Sequence, residues 1–488
     1  MQMLCAPGHP CKTGSDTVKF LALSAPIRLA ALKTGVSMSI SKKRIWGWYF
    51  FDWASQPYNT LLMTFIFGPY FASIASDYFL STGLKETAAD ARAQTMWSWT
   101  LAAVGLMVGL CAPIFGAIAD TSGRKIPWVA MFSVLCFLGA LGIWYTMPDG
   151  SNLVWGLMCF AVAFAGAEFA FIFVNSQLPS VCTEEDMGKV SGMGFAFGYA
   201  GGLIGLFIML LLFVEQGSGK TLIGLDPAFG LDADKLEGTR FVGPFTAIWF
   251  AIFTIPYFLW VKDTGPELAG NVRQALAALW ALIKSLRLRK SLTNYLVSSM
   301  FYRDALNGLY GFGGTYAVLV LDWEITQIGI FGIVGAATAV VFSWIGGRLD
   351  SRFGPKPVIT AAILVLIAVC IVVLSMSRES FMGMQLAEGS SLPDQVFFVC
   401  GALIGGMGGV LQAASRTLMA RHTSEKDVTE LFGLYGLAGR ATAFMAPWLI
   451  GVVTAITESA RLGISPLVIL FVIGLFLLRY VNPQGGQA

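Results

Sequence analysis

Twelve long apolar runs, separated by short polar stretches, constrain this chain of 488 residues more than any other feature it has. A helix that crosses a bilayer needs about 20 mostly apolar residues. Runs of that kind occupy 45–75, 95–119, 127–147, 153–179, 189–214, 241–262, 292–321, 326–347, 357–376, 395–418, 429–456 and 464–481. In lipid each backbone N–H and C=O must be satisfied within the protein, so helices are the expected form. Composition agrees: 12% of the residues are charged and the mean hydropathy is +0.69, whereas a soluble domain carries about 25% charged residues. Lys and Arg set the orientation, because basic loops stay cytoplasmic. Alternate loops, beginning with the cluster at 42–44, hold eighteen basic residues against seven in the intervening loops. An even number of spans then leaves both termini cytoplasmic.

The same composition removes several classes of function. A net charge of +3 spread over short clusters gives no footprint for nucleic acid. Eight cysteines form no CxxC pair, and with only two histidines neither a metal site nor a cofactor is expected. The stretch GSGKT at 217–221 imitates the end of a phosphate-binding loop, but Val214 stands where the motif needs glycine and a membrane span precedes it. Nucleotide is not expected as a partner. HExxH and GxSxG are both missing from the sequence, and the chain does not read as an enzyme.

Internal duplication organises the spans. The longest basic segment, 263–291, divides 45–262 from 292–481, leaving tails at 1–44 and 482–488. The first tail reads as disordered, or as an over-long start before Met38. GAIADTSGRKIP (116–127) after the second run is echoed by GGRLDSRFGPKP (346–357) after the eighth, and Gly198 and Gly201 are echoed by Gly436 and Gly439. Two related halves are the sequence mark of a pseudo-symmetric transporter with its site between them. The expected fold is an all-α membrane protein of twelve transmembrane helices in two pseudo-symmetric six-helix halves.

In the first of these loops Gly116 permits close helix approach and Gly123 a tight turn. Asp120 can face a helix N-terminus while Arg124 and Lys125 stay among the headgroups, forming a latch. The pattern G-x-x-x-D-x-x-G-R-K resembles the signature loop of the major facilitator superfamily. In the second copy Asp350 stands four residues before Gly354, whereas Asp120 stands three before Gly123, so an equal role for Asp350 stays open. GWYFFDWASQPY (47–58), FVNSQLPSV (173–181), SGMGFAFGYAGG (191–202), FYRDALNGLY (301–310) and SRTLMARHTSEKDVTELFGLYGLAGRA (415–441) resemble one branch of it, the autophagy-related vacuolar amino-acid effluxers and their bacterial relatives. This resemblance implies the major facilitator fold, alternating access, a bacterial inner-membrane location, a monomer, and a small solute, an amino acid among the candidates.

Charges inside the spans are candidate working groups, since each costs about 2.5–3.5 kcal/mol at mid-membrane. Asp52 lies eight residues past Arg44, roughly 12 Å into the first span at 1.5 Å per residue. Glu168 lies in the fourth span, and Arg303 with Asp304 in the seventh. The expected roles are proton or substrate binding, with the carboxylates as proton carriers and arginine matching a substrate carboxylate. Structural ion pairing is the alternative. Asn59, Asn175, Gln177, Tyr302 and Asn307 are candidate cavity-lining groups, Arg440 is a candidate inter-helix latch, and Arg416 is expected to snorkel to the headgroups. The function expected is secondary active or facilitative transport of a small polar solute, in either direction and with or without protons. A transporter-like sensor or assembly factor that does not translocate is the alternative.

Overall fold

The computed structural model describes residues 42–485, apart from 123, 183–186, 264–279, 281–283, 285, 388 and 423–427. The expectations for the first tail and for most of the 263–291 segment lie outside the described residues.

Nearly every apolar run is a helix. In chain order they are α1 (Lys42–Pro57), α2 (Phe67–Ser81), α3 (Glu86–Ser122), α4 (Ile126–Gly142), α5 (Leu153–Ser176), α6 (Met187–Leu212) and α7 (Val242–Trp260). The second half of the chain gives α8 (Lys290–Leu321), α9 (Ile325–Phe353), α10 (Pro355–Leu374), α11 (Leu392–Arg421), α12 (Val428–Ala441), α13 (Met445–Thr457) and α14 (Pro466–Leu478). Among the described residues, eight helices are long and apolar enough to cross a membrane, and Phe197–Leu212 and Met445–Thr457 are shorter apolar helices. The regions 42–81 and 290–321 are also helical, and they carry the charges singled out above.

Two of the expected spans are broken, each for a local reason. Pro57 ends α1, and a π-helical stretch, Tyr58–Phe65, joins it to α2. Proline has no N–H to offer the carbonyl four residues earlier. That carbonyl belongs to Trp53, and the indole N–H of Trp249 on α7 takes it up at 3.2 Å. The eleventh run splits at 442–444 into α12 and α13. The loop at 377–391 holds a two-residue hairpin, β1 (Ser380–Phe381) antiparallel to β2 (Met384–Gln385). Its turn places Met382 at φ 50° and Gly383 at φ 82°, the mirror-image geometry that matches strand twist.

The end of the bundle where α1 begins is called here the basic end, and the other the distal end. At the basic end two buckles tie helix termini together. The Asp263 carboxylate, just past α7, accepts the N–H groups of Lys125 (3.0 Å) and Ile126 (3.2 Å) at the start of α4. A helix N-terminus leaves such donors open and favours negative charge. In the second half Lys356, at the start of α10, donates instead to the carbonyls of Arg479 (3.1 Å) and Val481 (2.6 Å) past α14. The geometric problem is the same, and it is solved with the opposite charge.

The GSGKT stretch is a surface turn. Gly219 stands at φ 73°, and the Lys220 ammonium is held by Asp226 at 2.5 Å.

Candidate functional site

Asp52 is 6% exposed on α1 and points at α6. A Cβ placed on Gly194 would stand 2.5 Å from its Oδ2, and one on Gly198 would stand 3.2 Å from its backbone oxygen. The glycines of SGMGFAFGYAGG thus let α6 lie directly against α1 and its carboxylate. Trp48, one turn earlier, is fixed by its indole N–H on the Val174 carbonyl at 3.1 Å. The Oδ1 of Asp52 is buried without a hydrogen-bond partner among the described residues. A buried carboxylate oxygen without a hydrogen bond is costly in a packed helix pair.

Across from α1, α8 presents Arg303. Its guanidinium lies 4.3 Å from the centre of the Tyr435 ring on α12 and donates to the Tyr435 carbonyl at 3.2 Å. A Cβ on Gly439 would fall 2.7 Å from three guanidinium atoms, so that glycine is the bed in which Arg303 rests. Arg416 on α11 does not reach for the headgroups as expected. It faces inward, within electrostatic range of Asp52, Arg303, Tyr199 and Tyr435. One turn back on the same face, Gln412 lies beside the hydroxyls of Tyr199 from α6 and Tyr310 from α8. Tyr199 is nevertheless 49% exposed, the behaviour of a side chain lining open space inside the bundle. Asn307 is exposed on the Arg303–Tyr310 face of α8. The site therefore draws on α1, α6, α8, α11 and α12. Tyr199, Tyr310, Gln412 and Arg416 were not singled out as site residues from the sequence. Nothing in the sequence separates these tyrosines from the other membrane aromatics. For Arg416, its spacing of four from Gln412 was the available signal.

Asp304 points elsewhere. It is 1% exposed, and its Oδ2 accepts the N–H of Ala446 at 2.8 Å, in the first turn of α13. The break in the eleventh run creates a helix N-terminus inside the bundle, and Asp304 caps it from a neighbouring helix. Its Oδ1 has no partner among the described residues. Asp304→Ala is expected to lower the stability of the detergent-purified protein by about 1–3 kcal/mol, the cost of a buried unsatisfied group. Asp304→Asn, which keeps an acceptor, should recover most of that in a thermal-denaturation series.

The remaining candidates fall in several places. Glu168 is half-buried on α5, within electrostatic range of Tyr58 at the start of the π-helical stretch. Asn59 and Asn175 are half-buried. Tyr302 does not line the open space: it is fully enclosed, and its hydroxyl pairs with that of Ser415 at 2.8 Å, joining α8 to α11. Gln177 belongs to the buckle at the basic end, accepting from the Tyr257 hydroxyl at 2.6 Å. In the latch loop Arg124 is exposed and Lys125 gives its N–H to Asp263. The backbones of Gly116 and Asp120 lie in α3, but their side-chain surroundings, those of Arg440, and all of Gly123 lie outside the described residues. Asp350 is 7% exposed in the last turn of α9.

Comparison with known proteins agrees with this architecture. The chain is 26% identical over 442 residues to an uncharacterized MFS-type transporter, YxiO, of Bacillus subtilis, covering 90% of this chain and 94% of that one. It is 22% identical over 309 residues to autophagy-related protein 22 of Cryptococcus neoformans, where it spans about half of the longer fungal protein, 51%. Among solved structures, a D-xylose-proton symporter superposes with a TM-score of 0.63 at 11% identity, covering 91% of this chain and all of that one. A bacterial homologue of the lysosomal transporter Spinster, inward-facing and unoccupied, gives 0.60 at 14% identity, covering 93% and 100%. These structures share the fold, which is that of the major facilitator superfamily. The model of the family described as "Vacuole effluxer Atg22 like" matches residues 40–488, and the chain is a member of that family, a membrane transporter of the major facilitator type.

Proposed function

We propose that this protein moves a small polar solute that carries a carboxylate, an amino acid being the leading candidate, through alternating access between two six-helix halves. In this reading the chain crosses a bacterial inner membrane twelve times as a monomer, with both termini in the cytoplasm. Asp52 carries the proton when transport is proton-linked, and Arg303 and Arg416 receive the solute carboxylate. The observation that carries the reading is the convergence of Asp52 from α1 with Arg303 from α8 and Arg416 from α11 around a lined internal space. A planar guanidinium matches a carboxylate with paired donors. The description of the family as effluxers supports an outward direction. Purified protein in proteoliposomes is expected to move labelled amino acids, faster with an imposed pH gradient. A broad panel of solutes showing no flux above empty vesicles would refute the proposal.

A further inference from the structure

We propose that His422, Tyr295 and Tyr435 form a column of stacked rings that positions the Arg303 guanidinium for the carboxylate of the solute. The inference rests on the carrier reading above and adds two positioning residues, His422 and Tyr295, that lie outside the site.

The column is built along one face of α8. Ser291, Tyr295 and Arg303 stand at intervals of four and eight residues, so they share that face. At 1.5 Å per residue Ser291 lies about 18 Å along the helix from Arg303. Tyr295 is fully buried, and its ring is the one that the other two share. Its centre is 5.5 Å from that of His422, just past α11, and 6.0 Å from that of Tyr435 on α12. The planes differ by 9° and 10°, the offset-stacked arrangement that aromatic rings favour. Beyond Tyr435 the run ends on Arg303, whose guanidinium lies over that ring.

Two of the rings are also fixed at their edges. The Nδ1 of His422 faces the Leu418 carbonyl at 2.9 Å, and a carbonyl only accepts, so Nδ1 carries a proton. In the neutral ring Nε2 accepts from the Ser291 hydroxyl at 2.8 Å. The Ser291 oxygen in turn accepts the N–H of Asn482, past α14, at 2.9 Å. The Tyr295 hydroxyl donates to the Ser415 carbonyl at 2.5 Å, one residue before Arg416. A flexible arginine offers paired donors to a carboxylate only when its surroundings fix its plane beforehand. The Tyr435 ring and carbonyl do this directly, and Tyr295 holds the Tyr435 ring. Plain filling of the space between α8, α11 and α12 requires neither parallel rings nor a histidine bonded through both nitrogens.

The test uses the full chain in detergent, with no solute present. Phenylglyoxal, which modifies arginine, is added, and its reaction with Arg303 is followed by peptide mass spectrometry. Tyr295→Leu is expected to speed this reaction roughly 2- to 10-fold, the shift for one lost ring stack. His422→Leu should act in the same direction, and it carries the test should Tyr295→Leu fail to fold. Tyr295→Phe keeps the ring and is expected to restore the wild-type rate. Ser298→Ala cuts the bond from α8 to the Gly474 carbonyl and touches no ring, so it should change nothing. Leucine variants that react as the wild type does, or an equal rise in Tyr295→Phe or Ser298→Ala, overturn the column. In proteoliposomes Tyr295→Leu should raise KM for an amino acid by the same factor, with a smaller change in maximal rate. An unchanged KM overturns the role in solute binding. Because the modification needs no solute, a protein that moves nothing yet shows this pattern overturns the carrier reading and supports the column's hold on Arg303.

Discussion

Asp52→Asn is expected to abolish pH-driven accumulation of solute while exchange of solute across the membrane continues. The substitution keeps the shape of the side chain, its fit against Gly194 and its polar atoms. What it removes is the ability to alternate between charged and neutral forms. An ion at mid-membrane costs about 2.5–3.5 kcal/mol, which weights the two conformations of a carrier by about two orders of magnitude. Once that weighting is gone, a proton gradient has nothing to act on. The measurement is accumulation ratio against imposed pH difference. The wild-type ratio should rise with the gradient, and the Asn variant should stay near unity throughout. A variant that accumulates solute as the wild type does would remove Asp52 from the coupling role.

The second large effect is expected at a residue without a side chain. Gly439→Val pushes a branched group into the space of the Arg303 guanidinium, whose atoms already stand 2.7 Å from a bare Cβ. Arg303 then leaves the Tyr435 ring and its carbonyl. A cation–π contact contributes about 0.5–2 kcal/mol and a charged hydrogen bond about 1.5–3 kcal/mol, so solute affinity should fall roughly 10- to 100-fold. Calorimetric titration of the purified protein reads this directly. Gly436→Val is the control, because a Cβ there meets nothing within 4 Å, and its affinity should stay within about twofold of wild type. Equal losses at both positions would mean that the bed for Arg303 has no special part.

The fold was largely legible from the sequence, because a bilayer admits few alternatives and the apolar runs are long. The helix ends at Phe353 and Pro355, for example, follow from Gly354 at φ 86° and two prolines after it. The breaks were harder to read. Pro57 accounts for the end of α1, but the carbonyl it leaves without a donor is met by Trp249, 196 residues away. The split at 442–444 comes just before Pro447, whose missing N–H is tolerated in the first turn of α13. For the site, charge inside a span was a sound guide to which residues matter and a poor guide to what each one faces. Arg303 and Asp304 are neighbours in sequence, yet one reaches Tyr435 and the other the start of α13. Such a divergence is set by the roughly 100° that separates successive side chains on a helix and by where neighbouring helices end. Arg416 was misjudged for a related reason. Distance along a helix measures depth in the membrane but leaves azimuth undetermined.

The two buckles at the basic end differ in sign, and sign decides what can undo them. Asp263→Ala removes the negative partner of the first buckle and leaves the Lys356 buckle in place. Lys356→Met does the reverse. Each buckle also closes within its own stretch of chain, α7 onto α4 and α14 onto α10, so a swing of one stretch against the other strains neither. Removing one charge should therefore loosen this protein asymmetrically, one side of the bundle for each substitution, although the two sides repeat the same plan.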